Sequence, residues 1–527
     1  MKTFVRLLTL LLALLMLAMT VVACDDGNGN GDDVDRTATE DEFLRERDDL
    51  DQYNLDYMGE KITVLGWDKG NYTEFNVETI SSDNLLMAVY DRNKEIERRM
   101  HVDMEYLVVN NNSIPGLLQQ DKITGQKAYD IIGCYSTSIV IYALQGFLMD
   151  INQIEECYIN TEKPWWPDRM VDACSIGDGM YFFLGDMSPN VLGEMEVLFF
   201  NKELLANEWD VEATKAGVKP DKDSKGRDLV SPAAQWLYDM VYNGTWTLDE
   251  LIKITMGADG EGYGDISGGN TANVKDPGDT YGIVSRYQVY SMFYQGSNMK
   301  LVEKDDAKTL KISEDYGSMK TVKLVQKLAD WFKEDTVGCD EISLAGDYRA
   351  MMPGGRALFA ALRCRHAGNF AEISYGILPC PKYDAKQANY YTAIGQPSTI
   401  FGIYSGCNDR GDKQEAYSML SAVVECWASE GYRIVTPQLF EVNMQLKYAD
   451  TQAETDMFEI VRGSICFDIG KIFTSQLYDM YQMPVRSAFN GVSWVSSYAA
   501  YKVPLQKAVE NIVKTLDDLV FDGTTDE

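Results

Sequence analysis

The chain has 527 residues, 81 acidic and 48 basic, for a formal net charge of −33 with only two histidines. A surface so negative repels nucleic acid and anionic lipid, which excludes both as partners held by charge. Apolar residues make up 45% of the chain, enough for a packed interior, and roughly 500 residues exceed what one core supports, so two lobes are expected.

Lys2 and Arg6 form a basic head, followed by an uncharged apolar run from Leu7 to Met19 and then by Val21-Val22-Ala23-Cys24. The run is short for a membrane span and suits the core of a signal peptide. Its ending resembles a bacterial lipobox, in which the chain is cut before the cysteine and the thiol is acylated. The expectation is a signal peptide over 1–23, lipidation at Cys24, and an anchored flexible linker over 24–58, because Asp25 to Asp33 holds only Asp, Gly and Asn. The protein would then sit on the extracytoplasmic face of a bacterial cell membrane, touching it through the lipid alone. Beyond the signal no second run is long and apolar enough to span.

The body opens with an apolar β-type run, Lys61 to Trp67, that ends in a polar loop at Asp68. Ser81-Ser82-Asp83 caps a predicted helix with Leu85, Val89, Ile96 and Met100 on one face and Arg92, Lys94, Glu95 and Glu97 largely opposite. Val102, Met104, Tyr106 and Val108 alternate as in a strand, and a helix-like stretch leads to the apolar run Tyr129 to Tyr135. Strands alternating with helices imply an α/β fold with a mostly parallel sheet, whose ligands bind beyond the carboxyl ends of the strands. Trp67-Asp68 and Tyr135-Ser136-Thr137 stand at two such ends.

Val197 to Lys202 predicts a strand running into a helix at Glu203 to Leu205, and Lys215 to Asp228 is a polar surface loop. Thr247 caps a further helix, with Glu250 as its box partner. Gly257 to Asp279 is a long loop rich in glycine and acid. Its Asp259-Gly260-Glu261-Gly262 run, with Asp265 and Asp276, resembles a calcium loop but lacks the alternating ligands and closing Glu of an EF-hand, so no metal is expected. Two late helices show as apolar stripes, Val322 to Phe332 and Val509 to Leu519. Setting Cys24 aside, nine cysteines scatter from Cys134 to Cys466 without a Cys-x-x-Cys pair; they read as free core thiols, with a disulfide or two left open.

Four segments occur in a telling order: VLFFNKELL at 197–205, GTWTLDELI at 244–252, DTYGIV at 279–284 and YGILPCPKYD at 375–384. Behind a lipobox and an acidic linker, this order resembles the family 1 extracellular solute-binding proteins, lipoprotein receptors of carbohydrate ABC importers. The resemblance spans about Lys61 to Phe521. Cys380 stands where an aromatic or Met is more usual, and inserts in the middle lengthen the chain. The resemblance implies a type II periplasmic-binding-protein fold: two α/β lobes joined by crossing hinge strands around a cleft. It implies a first lobe of 59–188 with 358–428 and a second of 189–357 with 429–527. Crossings would fall near Asp186 to Leu192, near Leu358 to Arg363 and near Ser429. It further implies a carbohydrate ligand, the permease subunits of an ABC transporter as partners, a monomer, no cofactor and no covalent step.

Sugars present hydroxyl edges and apolar ring faces, so their sites need flat aromatics and planar hydrogen-bonding side chains. The aromatic candidates are Trp67, Tyr135, Tyr294 and Trp494; the polar ones are Asp68, Ser136, Asp186, Asn190, Gln295, Arg363 and Arg365. Against these stand ordinary core packing for each aromatic, a turn role for Asp186 and a surface ion pair for Arg365. A secreted glycan-active hydrolase with paired carboxylates, or a peptide receptor of the same fold, remain as alternatives. A His-Glu-x-x-His site and a Gly-x-Ser-x-Gly elbow are both missing, and the glycine run at 260–264 follows no strand, which argues against zinc protease, serine hydrolase and dinucleotide chemistry.

Overall fold

The computed structural model describes residues 46–68, 74–258, 260, 279–340, 344, 347–370, 372–439 and 451–519. Cys24, the signal segment and most of the acidic loop 257–279 lie outside them. Among the described residues no helix is long and apolar enough to cross a membrane.

Two sheets form the body. The first contains β1 (Glu60–Trp67), β2 (Val102–Val109), β3 (Ile131–Tyr135) and a strand from much later in the chain, Thr399–Ile403. The second contains β4 (Glu196–Asn201), β5 (Tyr281–Arg286), β6 (Val337–Asp340), β7 (Ala357–Arg363) and β8 (Tyr375–Leu378). With Thr399–Ile403 named β9, the orders are β9-β3-β1-β2 and β8-β4-β7-β5-β6. Both follow one plan. A first strand is flanked by its second and third, all parallel. An antiparallel strand then joins the third, supplied from outside the βαβ run: β9 beside β3, and β4 beside β7. This is the two-lobe, type II arrangement that the resemblance implied.

Local chemistry explains the first lobe. β1 from Ile62 onward is almost wholly buried, as expected for a strand covered by helices on both faces. Asp83 caps the following helix, Asn84–Met100, accepting from the N–H groups of Leu85 and Leu86. Gly133 sits mid-strand because a Cβ there would come within 2.7 Å of the Phe75 and Phe401 rings.

Arg92 departs from the amphipathic reading. It is fully buried, not on the solvent face. Its guanidinium donates to the carbonyls of Glu74, Phe75 and Met187 and to Asn93 Oδ1, and lies 5.3 Å from the centroid of the Trp427 ring. One side chain therefore ties the loop after β1, the first crossing and the helix Lys413–Glu430 to a single point.

Three segments cross between the sheets. Phe183 pairs with Phe401 at the edge of the first sheet, and the chain then leaves through Gly185 to Met195 into β4. It returns through residues 394–398, with Met195 and Ile394 paired antiparallel. After Lys413–Glu430 it crosses again at Gly431–Val435. Gly431 is required by close approach, since a Cβ would stand 2.0 Å from the carbonyl oxygen of Asp186 in the first crossing. Residues 358–378, expected with the first lobe, instead build β7 and β8 of the second sheet; the apolar run Ala357 to Leu362 is a central strand there, not a return crossing. The final helix, Trp494–Asp517, packs on the second lobe and also reaches the first, where Tyr181 donates to the Leu516 carbonyl at 3.0 Å.

Residues 46–58, expected to extend the linker, belong to the body. Leu50 is buried and Asp48 forms a buried ion pair with Arg99 at 2.6 Å. The nine cysteines from Cys134 to Cys466 are all unpaired, and all but Cys157 are buried.

Arg92→Met keeps the length of the side chain but leaves three carbonyls and Asn93 without their donor. Equilibrium denaturation should show a loss of about 2–5 kcal/mol. Arg92→Lys should recover only part of it, because one ammonium cannot span the same set of acceptors.

Candidate functional site

β1 and β3 run side by side and end at Trp67 and Tyr135, so their register sets two aromatics at one edge of the first lobe. The rings meet edge to face, centroids 5.3 Å apart at 89°. Trp67 is only 7% exposed, and its Nε1 donates to Thr399 Oγ1 at 2.8 Å. Thr399 donates in turn to Glu74, whose other carboxylate oxygen accepts from Ser188 Oγ at 2.5 Å. Trp67 is thus not the stacking platform expected of it. Its surface is taken up by packing, and it fixes Tyr135, which stays half-buried at the rim. Asp68 follows as an exposed residue, its N–H bonded to the Val109 carbonyl at 2.6 Å.

Across the gap stand the ends of β7 and the first crossing. Glu194 is buried, with Oε2 3.1 Å from Arg363 Nε and Oε1 2.5 Å from Arg365 Nη1. Two residues on, Glu196 faces Lys471 at 3.4 Å and Arg363 at 4.0 Å. Gly395 of the return crossing leaves room for this pair, since a Cβ there would lie 2.5 Å from Arg363 Nε and 2.6 Å from Glu194 Oε2.

The titrations link these groups. Burial raises the Tyr135 hydroxyl, with Arg363 opposing, Glu194 adding and Arg365 opposing. Burial lowers the Arg365 guanidinium against the pull of Glu194, with Arg363 adding to the fall. His366 is pushed down to about 4 by burial and then by Arg365 and Arg363, so it is neutral near pH 7; its Nδ1 lies 3.2 Å from the Arg363 carbonyl. Tyr348 completes the set on the second lobe: burial raises it, while Arg286, Arg349 and Arg363 nearby oppose.

Of the other expected residues, Ser136 and Asn190 serve the crossings. Ser136 Oγ donates to the Gln396 carbonyl at 2.5 Å, and Asn190 Nδ2 to the Pro397 carbonyl at 3.0 Å. Gln295 lines a polar gap of about 10 Å³ with Ser136, Gln396, Ser398, Asp468 and Lys471. There Gln295 Oε1 and Ser398 Oγ are buried with no hydrogen-bond partner among the described residues, and the gap is the size of one water.

Three candidates fall elsewhere. Tyr294 is fully buried in the second lobe, its hydroxyl on the Lys300 carbonyl at 3.2 Å and its ring edge-on to Tyr316. Trp494 is also core: Nε1 donates to the Tyr316 carbonyl at 3.1 Å and the ring stacks on Tyr498. Asp186 does not border the same cleft as Tyr135. It lines a hollow of about 520 Å³ whose walls include Tyr432, Glu459 and Arg462 but none of Tyr135, Arg363 or Arg365.

Sequence reasoning missed Glu194 and Tyr348. A signal existed for the first: in the apolar run from Leu192 to Phe200 the only charges are Glu194 and Glu196, and a charge inside a run that apolar needs a partner. Among the described residues no group of three or more His, Cys, Asp or Glu could hold a metal ion.

No protein-family model and no curated protein matches the chain. Among solved structures it aligns with UspC of M. tuberculosis at 15% identity, over 85% of this chain and 100% of that one, TM-score 0.49. It aligns with a cyclo/maltodextrin-binding protein complexed with maltotetraose at 12% identity, over 87% and 97%, TM-score 0.47. A third alignment is with the ABC substrate-binding protein Lmo0181 of Listeria monocytogenes in complex with cycloalternan, at 15% identity over 87% and 99%, TM-score 0.45.

Asp186 is pushed up to about 7 by burial, with Arg462 opposing. A carboxyl whose folded pKa lies above its unfolded value near 4 binds more proton when folded, so stability falls as pH rises from about 4 through 7. Asp186→Asn should remove that fall. Melting temperatures of the two proteins should converge near pH 4.5, with the variant higher at pH 8.

Proposed function

We propose that this chain is a binding protein that captures a carbohydrate, an oligosaccharide, between its two lobes and delivers it to the permease subunits of an ABC transporter. The observation that carries the reading is Tyr135, half-buried at a strand end of one lobe, opposite the Arg363–Glu194–Arg365 set at the strand ends of the other. An aromatic ring offers an apolar face to a sugar ring, and fixed guanidinium groups offer planar donors to its hydroxyls. A ligand touching both walls contacts the full set only when the lobes are together, so binding shifts the population toward the closed form.

The geometry does not favour a glycan hydrolase. That chemistry needs one carboxyl poised to give up a proton beside a second carboxylate. Both oxygens of Glu194 are engaged by arginines and Glu196 faces Lys471, so neither is presented as a proton donor.

The reading is tested with a panel of oligosaccharides by thermal shift, calorimetry and small-angle scattering. A ligand should raise the melting temperature, compact the protein and be recovered intact. Tyr135→Leu keeps apolar packing against Trp67 but removes the aromatic face; it should weaken binding about ten-fold with little change in the melting temperature of the free protein. Recovery of shortened products, or binding without compaction, would count against the receptor reading.

The reading includes a lipid tether at Cys24, supported by the basic head, the apolar core and the Val-Val-Ala-Cys ending. Cys24→Ala should move the protein from the membrane fraction to the soluble one or block its processing. An unchanged membrane fraction would remove the anchor from the proposal.

A further inference from the structure

We infer that the polar gap beside Gln295 takes up one water, which bridges the return crossing to the second lobe and so works against rotation of the lobes. The occupant does not depend on the carbohydrate reading above; its effect on sugar capture rests on that reading.

Gln295 Oε1 and Ser398 Oγ are both buried, their residues line the same gap, and neither makes a hydrogen bond among the described residues. Burying a polar group without a partner is costly, and an ordered water is the usual remedy inside a fold. The neighbours on the wall are committed elsewhere. Ser136 Oγ donates to the Gln396 carbonyl at 2.5 Å, and Gln396 Nε2 to the Lys471 carbonyl at 3.4 Å. The two oxygens of Asp468 accept from the N–H groups of Gly470 at 2.8 Å and Leu301 at 3.3 Å. The backbone that carries Gln295 is held as well. The Gly296 carbonyl accepts from Gln387 Nε2 at 2.7 Å, and a Cβ on Gly296 would stand 2.2 Å from Cys380 Sγ.

Size and charge select the occupant. A gap of about 10 Å³ admits a single water and nothing larger. A cation there would meet the Lys471 ammonium, and an anion the Asp468 carboxyl, since both residues line the gap. Water suits either end of the Gln295 amide because it donates and accepts. Lys471 can be its third partner: Nζ has three N–H groups for the two Glu196 oxygens, each at 3.4 Å, and lies 5.2 Å from the Tyr481 ring centroid. The two orphan atoms stand on different sides of the hinge. Ser398 is tied to the first lobe, its carbonyl accepting from the Ser136 N–H at 3.0 Å. Gln295 sits in the second lobe, on the helix Met292–Gly296 that follows β5. A water held by both joins the lobes where no direct bond does. Arg365 and Tyr135 feel one another in this arrangement, so the bridge supports the form in which the cleft walls face each other.

A high-resolution crystal structure of the ligand-free protein should show one water within hydrogen-bond distance of Gln295 and Ser398. Ser398→Ala and Gln295→Leu each remove a partner, and the second also fills the gap, so both crystal structures should lack that water. In small-angle scattering the free variants should be more expanded than the wild type. With an oligosaccharide that the wild type binds, each variant should bind about three- to ten-fold more weakly by calorimetry. A dry gap in the wild type overturns the inference. So does a sugar hydroxyl found in place of the water in the complex, which gives the gap to the sugar site. Variants that lose the water yet scatter and bind as the wild type does make it a filler only, and the bridge falls. If Gln295→Leu does not fold, the milder Ser398→Ala decides. If no sugar binds the wild type, the receptor reading falls, and the crystal structures and the scattering of the free proteins still decide the bridge.

Discussion

The crossing segments lie against one another around a buried carboxylate, Glu194, with Arg365 on one oxygen and Arg363 3.1 Å from the other. Desolvating a carboxylate costs several kcal/mol unless the charge is met in good geometry. Here it is met by a hydrogen bond from Arg365, in the turn after β7, and by an ion pair with Arg363 of β7 that lacks hydrogen-bond geometry. Gly395 supplies the space, because any side chain there would displace Arg363 or Glu194. The backbones lock together as well: Gly395 N–H donates to the Glu194 carbonyl at 2.8 Å, and Cys364 N–H to the Met195 carbonyl at 2.9 Å. The charge arrangement of the cleft is thus fixed by the same contact that aligns the first crossing, the return crossing and the end of β7.

How much of this is legible in sequence depends on the range of the signal. β1, β3, β4 and the helix capped by Asp83 are local patterns of apolar run, alternation and cap, and they stand where the spacing puts them. Tyr135 and Arg365 are legible as polar or aromatic residues at strand ends. What fails is lobe membership. The run Ala357 to Leu362 looks the same whether it crosses or builds a sheet, and only its pairing with both β4 and β5 decides. Sequence carries no trace of that partner choice, because a buried strand is apolar on both faces wherever it sits.

Arg92 and the aromatics show a second limit. A charged residue on a helix is read as solvated because burying it is usually costly. At Arg92 the cost is offset by carbonyls from two separate loops, which no helical periodicity can foresee. Tyr294 and Trp494 fail in the opposite sense: each sits beside polar sequence yet faces inward, with its polar atom satisfied by a backbone carbonyl. An aromatic beside a loop is legible as amphipathic, but the direction of its ring is set by packing partners far along the chain.

The distribution of polar contacts has a consequence for motion. The first and third crossings touch at Gly431 and Asp186, and the first is pinned to the first lobe through Arg92 and the Met187 carbonyl. The return crossing is tied to the first lobe by Ser136 and to the first crossing by Asn190. Under the closure proposed above, rotation of one lobe against the other is absorbed on the second-lobe side of these ties, where residues 394–396 lead back toward the sheet. There Gln295 Oε1 and Ser398 Oγ lie buried without partners among the described residues, beside the ion-paired Lys471. Buried polar atoms left without partners are costly where they are, and a movement that wets or pairs them lowers that cost.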